Sequence, residues 1–476
     1  MSALLAAAAV ALSGAAVTAF VPMRRATRAA FAVLFGLGLW SASYAAALFV
    51  AGNTPRTLLA KDALLAAAGG GVLLWRRARA TDGVRADSSV GMPRWPRVAA
   101  IAACLLATAF FVEHTLRYPD GGWDAWAIWN LRARFLARSA GPGFRAAFSP
   151  EILFWAHQDY PLLLPGIVTQ GFRIVGAQPL WVPAAVSYLF AALAVAVLAA
   201  AAGELRGAPW PSLTALALLA TPSFVGLAAN QQGDVPVGVF LLAACALVAA
   251  GIESGRRAHF AAAGIAVSLA AWTKNEGALH LVCLGLAVLA VRWAPMRERA
   301  RATLYYSCGA VPVLSLLAYF KLTVARANDL FSDPSAARVL ELHRWAELAL
   351  SLARRAVFFQ TWGLWLVAEL AVLLLIVPRV PSRPAARALG LALALSFATT
   401  LGVYLIQPHP LVWFFRASID RVLIQLWPSA LLATVLAIAA PRGGIQSAEG
   451  PGRPSAGDAV AFGGANPNPH ISANDK

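Results

Sequence analysis

Runs of apolar residues long enough to cross a bilayer recur along almost the whole chain, and no other feature constrains the fold as tightly. A hydrocarbon core about 30 Å thick needs roughly 17–25 helical residues per crossing. Such runs stand near 3–22, 29–51, 57–75, 98–112, 178–202, 209–226, 235–252, 260–273, 277–294, 303–324, 356–378, 388–406 and 422–440. In lipid every backbone N–H and C=O must find a partner inside the chain, so each run predicts a helix. The expected fold class is all-α, a polytopic integral membrane bundle of about 11–13 transmembrane helices. The composition agrees, with 59% hydrophobic and 13% charged residues against about 45–50% and 25% in soluble domains. An arginine pair follows the first run instead of preceding it, which reads as an uncleaved anchor.

The basic residues set the orientation. WRRARATDGVRADSSVGMPRWPR (75–97), ESGRRAH (253–259), APMRERARAT (294–303) and PRVPSRPAAR (378–387) all fall on one side if the spans alternate. Positive loops stay in the cytoplasm. The net charge of +17 therefore reports topology and lipid phosphates, and nucleic acid is excluded as a partner. Cys104, Cys245, Cys283 and Cys308 lie inside apolar runs without metal-ligand spacing, as free thiols do. The chain divides into three regions: a transmembrane extension with its basic loop (1–97), a core (98–440), and a Gly/Pro/Ser/Asn-rich tail expected to be disordered (441–476).

Almost every residue suited to chemistry falls in the other set of loops. YPDGGWDAWAIWNLRARFLARS places Asp120 and Asp124 on either side of a GG turn where the chain leaves the bilayer. A carboxylate between Trp123 and Trp126 at a membrane exit is costly unless partnered. The pattern from Trp123 to Arg138 predicts an interfacial helix, with Trp126, Trp129 and Phe135 at headgroup depth and Arg132, Arg134 and Arg138 reaching lipid phosphates. In the same loop (113–177), His157, Asp159 and Tyr160 precede an apolar run too short to span, read as a second interfacial or partly inserted helix. Asp234 in NQQGDVP suits a helix N-cap, a site carboxylate, or both. Lys274 and Glu276 in WTKNEG form a turn between two spans, where an ammonium is placed to meet a lipid phosphate or to pair locally. Arg416 and Arg421 offer the donors that a phosphate needs, but their register puts them on different helix faces.

WDAWAIWNLRARFL, HQDYPLLLP, GDVPVGVFLLAACAL, WTKNEG and ASIDRVLIQLWP, in that order over residues 98–440, resemble the polytopic glycosyltransferases of the GT-C superfamily. They are similar to the protein O-mannosyltransferases and the lipid A aminoarabinose transferases (glycosyltransferase family 39). The resemblance implies a GT-C-like bundle whose first outward loop carries interfacial helices. It also implies a polyprenyl-phosphate-linked sugar donor and an acidic residue in that loop as base, which here falls to Asp124 with Asp120 second. The adjacent acidic pair of some relatives is absent, and D-x-x-x-D stands instead. His157, Asp159, Tyr160, Asp234, Lys274, Glu276, Arg416 and Arg421 are then the substrate-binding candidates. Some relatives require a divalent cation and others do not; the chain has no dense ligand cluster, so Mg or Mn remains open.

The expected activity is an inverting transfer of a hexose or pentose to an envelope acceptor hydroxyl on the extracytoplasmic face of a bacterial inner membrane. The acceptor, whether lipid, polysaccharide or protein, is not legible. A transporter or lipid flippase without chemistry is the rival reading. Against it stand the absence of a clear inverted repeat and the clustering of charge at one face instead of the midplane.

Overall fold

The structure, a computed structural model, describes residues 2–78, 94–149, 151, 155–325, 335–357 and 383–438. The tail and most of the expected span 356–378 lie outside the described residues. The described residues all belong to one compact unit.

The described residues are helical throughout, apart from turns and an isolated bridge between Asn53 and Gly141. Nine of their helices are long and apolar enough to cross a membrane: α1 (Ser2–Ala19), α2 (Arg25–Ala51), α3 (Pro55–Arg77), α4 (Trp95–Arg117), Trp181–Arg206, Asp234–Ser254, Met296–Val324, Pro384–Ile406 and Leu411–Ala437. A tenth candidate, expected as a straight span over 209–226, is instead a pair, Trp210–Leu219 and Pro222–Ala229, bent by 67°. Pro222 cannot continue the first helix and starts the second, the position its fixed φ suits. The expected spans at 260–273 and 277–294 are shorter helices, Arg257–Thr273 and Asn275–Ala290.

Between α4 and Trp181–Arg206, the long loop carries α5 (Leu131–Arg138), a 3-10 turn (Pro142–Phe148) and α6 (Leu163–Val175). A π-helical segment, Ala125–Asn130, leads into α5. At about 1.5 Å per residue, the thirteen residues of α6 reach only about 20 Å, too short to span. It does not lie on the surface either, because nine of its thirteen residues are buried, packed among α2, α5 and Trp181–Arg206, and only its C-terminal end is exposed. The N-terminal helices grip it: Ser41 Oγ donates to the carbonyls of Leu162 and Leu163 at 3.1 and 2.9 Å. Lys61, paired with Asp62 at 2.5 Å, hydrogen-bonds Gln170.

Contacts sort the helix ends into two groups. At one end Arg383 faces Glu253 at 3.5 Å and Arg257 faces Glu298 at 3.8 Å. Arg206 donates to Ile438 O at 2.6 Å, and Glu204 accepts from the Arg24 amide at 2.9 Å. The opposite end gathers the loops after α2, α4, Pro222–Ala229, Arg257–Thr273 and Pro384–Ile406, with the last turn of Met296–Val324. Burial also separates apolar helices that read alike in sequence. The Asp234–Ser254 span is 89% buried inside the protein, whereas Trp95–Arg117 is 11% buried. The first is the axis of the bundle, and the second turns its side chains outward, as a lipid-facing helix does.

Candidate active site

The site end is built on two turns. NQQGD ends one hairpin, and the loop after α4 is laid against it: Gly122 N donates to Asn230 O at 2.9 Å, and Gln231 Nε2 donates to Pro119 O at 3.1 Å. Gly121 has φ +76°, and a Cβ there would stand 2.8 Å from Asn230 O. This is why the aspartates flank a GG pair: no side chain fits where the two backbones meet. The second turn is Lys274, in extended backbone between Arg257–Thr273 and Asn275–Ala290. A Cβ on Gly277 would meet the Ala270 carbonyl at 2.2 Å, so glycine lets the second helix start directly against the end of the first.

These turns, with helix Leu411–Ala437, bring five charged side chains into one unbroken run of alternating sign. Asp124 Oδ2 meets Arg421 Nη2 at 2.5 Å, and Arg421 Nε meets Asp234 Oδ2 at 3.0 Å. Lys274 Nζ meets Asp234 Oδ1 at 2.9 Å and Glu276 Oε1 at 2.8 Å. Gln425 Nε2 adds a third donor to Asp234, at 2.7 Å, and its carbonyl faces His280 Nε2 at 3.2 Å. Asp234 is wholly buried; Asp124 and Arg421 keep 16% and 18% of their side chains exposed and Glu276 keeps 25%, so the run reaches solvent at both ends and is closed in the middle. Asp234 is the first residue of its helix with Gly233 as N-cap, and its carboxylate serves the ion pairs instead of capping the helix. Burial alone would lower the Lys274 pKa, but Asp234 and Glu276 outweigh it and hold the ammonium above its usual range.

A second centre adjoins the first. Asp159 Oδ2 accepts from Lys321 Nζ at 2.9 Å and from Asn275 Nδ2 at 2.7 Å, and Lys321 also donates to Asn275 Oδ1 at 2.7 Å. Tyr160 stacks between Trp129 and His157, with ring centroids 5.3 and 4.9 Å away, and Lys274 Nζ lies 5.9 Å from its ring centre. Burial, followed by the Glu276 carboxylate, pushes the Tyr160 phenol well above its ordinary range.

Arg132 fixes the backbone of this segment. It donates to Tyr160 O at 2.8 Å, Ala156 O at 2.8 Å and His157 O at 2.9 Å. It is completely buried, and burial draws its pKa down to about 10. The expectation that Arg132 reaches lipid phosphate and that Trp129 sits at headgroup depth is therefore overturned. Both point inward, because α5 packs on α6 and its inner face must close over the carbonyls of a non-helical loop. Trp123 and Trp126, both exposed, fit the interfacial pattern.

Two candidates stand apart from the run. Asp120, half-exposed, faces Arg134 at 3.6 Å. Arg416 is exposed, on a different face of its helix from Arg421. Sequence reasoning passed over Lys321, Asn275 and Gln425. Gln425 carries a usable signal, since it follows Arg421 by four residues and so shares its face within an apolar span. Among the described residues no group of three or more His, Cys, Asp or Glu side chains is placed to hold a metal ion.

A bundle with nine or ten helices able to cross a membrane among its described residues, and with a charged, mostly buried centre at one end, is the architecture of a polytopic membrane protein. Residues 159–320, about a third of the chain, match the dolichyl-phosphate-mannose-protein mannosyltransferase family, and this segment is that of a membrane glycosyltransferase using a lipid-phosphate-linked sugar. The match takes in Asp159, Tyr160, Asp234, Lys274 and Glu276, and does not reach Asp124 or Arg421. No curated protein and no solved structure matches the chain.

Proposed function

We propose that this centre transfers a sugar from a polyprenyl phosphate to an acceptor hydroxyl, with Asp124 as base and Lys274 and Arg421 as the cations that hold the phosphate. The observation that carries this reading is the arrangement around Arg421, which sets a carboxylate, a guanidinium and a buried ammonium side by side at a partly open end of the run. The acceptor oxygen attacks C1 of the sugar while Asp124 takes its proton, and the C1–O bond breaks with its electron pair going to the phosphate. A phosphate leaves without a strong acid, so the two carboxylates of a glycoside hydrolase are not required. The cations stabilise the charge that grows on the departing oxygen. A single displacement inverts the anomeric centre.

His157, Asp159 and Tyr160 form the neighbouring wall, where Lys321 and Asn275 hold Asp159. Glu276 acts by holding Lys274, and Asp120 takes no part in this step. The site end faces outward from a bacterial inner membrane if the arginine-rich ends stay inside. The acceptor class, whether lipid, polysaccharide or protein, is set by surfaces that this reading does not assign.

The test is envelope-glycan mass spectrometry of a deletion strain complemented with wild type or Asp124→Asn. General-base catalysis contributes about 10²–10⁴-fold, so the variant should lose the transferred hexose or pentose mass at unchanged protein level. Wild-type glycans from Asp124→Asn would discard the mechanism and favour a transporter. Chelation with EDTA in a membrane transfer assay reads whether Mg or Mn takes part.

A further inference from the structure

Resting on that reading, we propose that Arg421 is a two-position switch: the donor phosphate takes its guanidinium end from Asp124, so the donor binds first and thereby releases the base. The two acids that share Arg421 are not equivalent. Asp234 is wholly buried and accepts from Lys274, Gln425 and Arg421 Nε. Its helix is the most enclosed of the candidate spans, so this end of the contact is fixed. Asp124 is partly exposed, is the helical residue that leads into the π-helical segment, and meets Arg421 through Nη2. Such segments are departures from the α-helix that recur at functional sites.

A guanidinium carries five N–H donors in a planar fork. Held by Nε on Asp234, Arg421 can turn its outer nitrogens from one oxyanion to another without giving up its buried anchor. A phosphate oxygen arriving at the exposed end competes with Asp124 for the same N–H groups, and both contacts cannot be made in full. While Arg421 Nη2 holds Asp124 Oδ2 at 2.5 Å, that oxygen is engaged with the guanidinium and not with an acceptor hydroxyl. Once the phosphate holds Arg421, the carboxylate is free to accept the proton of the acceptor hydroxyl. The device withholds the base until a leaving group is present.

The experiment is the affinity of the purified protein in nanodiscs for undecaprenyl phosphate, by calorimetry, in four forms: wild type, Asp124→Asn, Arg421→Lys and the double variant. Removing the competing acid should tighten binding by about two- to fivefold, the value of a partly exposed ion pair, while transfer is lost. A lysine keeps the charge but cannot bridge, so adding Asp124→Asn to Arg421→Lys should change affinity by less than about 1.5-fold, within the scatter of independent sites. Equal tightening in both backgrounds would mean that Asp124 merely repels an anion, and the switch is wrong. No tightening in the Arg421 background also overturns it. No binding by wild type would instead sink the transferase reading itself. Asp124→Ser serves as the second variant, should the amide disturb assembly.

Discussion

Asp234 is the residue on which the charged run depends, and Asp234→Asn measures how much. Its carboxylate is fully buried, and it touches an ammonium that is 4% exposed and a guanidinium that is 18% exposed. Removing one partner of a buried ion pair costs about 3–5 kcal/mol, because the remaining charge is left uncompensated. Here neither cation is stranded outright: Lys274 keeps Glu276 at 2.8 Å, and Arg421 keeps Asp124 at 2.5 Å. The asparagine can still accept from one donor. The expected loss is therefore smaller, about 2–3 kcal/mol. Equilibrium unfolding in mixed SDS micelles, followed by tryptophan fluorescence, reads it directly. Adding Lys274→Met should return about 1 kcal/mol or more relative to the sum of the two single losses, since the unmatched ammonium is then gone. An Asp234→Asn loss below about 0.5 kcal/mol, within the range of unremarkable substitutions, would show that the run does not depend on this carboxylate. So would additivity to within about 0.5 kcal/mol in the double variant.

The same geometry sets two further outcomes. Arg132→Met removes the donors of three backbone carbonyls, so hydrogen exchange should accelerate over residues 155–160 and not over α2; unchanged exchange there would show that these hydrogen bonds do not hold the segment. Lys274 is held above its ordinary pKa, so its contribution is complete below the unfolded value of about 10.4 and is lost only as pH rises through the higher folded value. Undecaprenyl phosphate affinity should accordingly stay flat between about pH 7 and 9, and a fall with a midpoint inside that window would rule out Lys274 as the cation responsible.

That the chain is a multi-pass helical bundle is legible in the sequence, because the bilayer demands a long apolar run per crossing. The number of helices is less so: about 11–13 were expected, and among the described residues nine helices, or ten with the bent pair, are long and apolar enough to cross. The arrangement of those helices is not. Asp234–Ser254 and Trp95–Arg117 each carry an apolar run long enough to cross a membrane, yet one is the buried axis and the other faces outward. Hydropathy distinguishes lipid-like from water-like surroundings, and a protein interior and a lipid tail are equally apolar. The site was partly visible for the opposite reason. Lys274 and Asp234 stand out because charge is scarce near apolar spans, but their meeting depends on Gly277 and on the hairpin at NQQGD, which are tertiary facts. Arg132 misled because an arginine on a tryptophan-rich helix suits lipid phosphate and buried carbonyls equally well, and only the fold decides between them.

The order of charges along the run bears on why Arg421, and not Lys274, should matter most to the chemical step. In the proposed reaction the total charge of the site does not change, but its position does. Asp124 loses its negative charge when it takes the proton, and the departing phosphate gains one when the C1–O bond breaks. A cation that has left the carboxylate for the phosphate interacts weakly with the charge that disappears and strongly with the charge that appears, and so it favours the transition state over the ground state. Arg421 contacts Asp124 at one partly exposed end of the run, and in the proposed switch the donor phosphate takes it over before the proton moves. Lys274, enclosed by Asp234 and Glu276, has counterions whose charge stays constant throughout and acts mainly on binding. Arg421→Lys should therefore lower kcat more than it raises KM for the donor, and Lys274→Met the reverse. Equal effects on both parameters from the two variants would show that the run is a single electrostatic block without a division of labour.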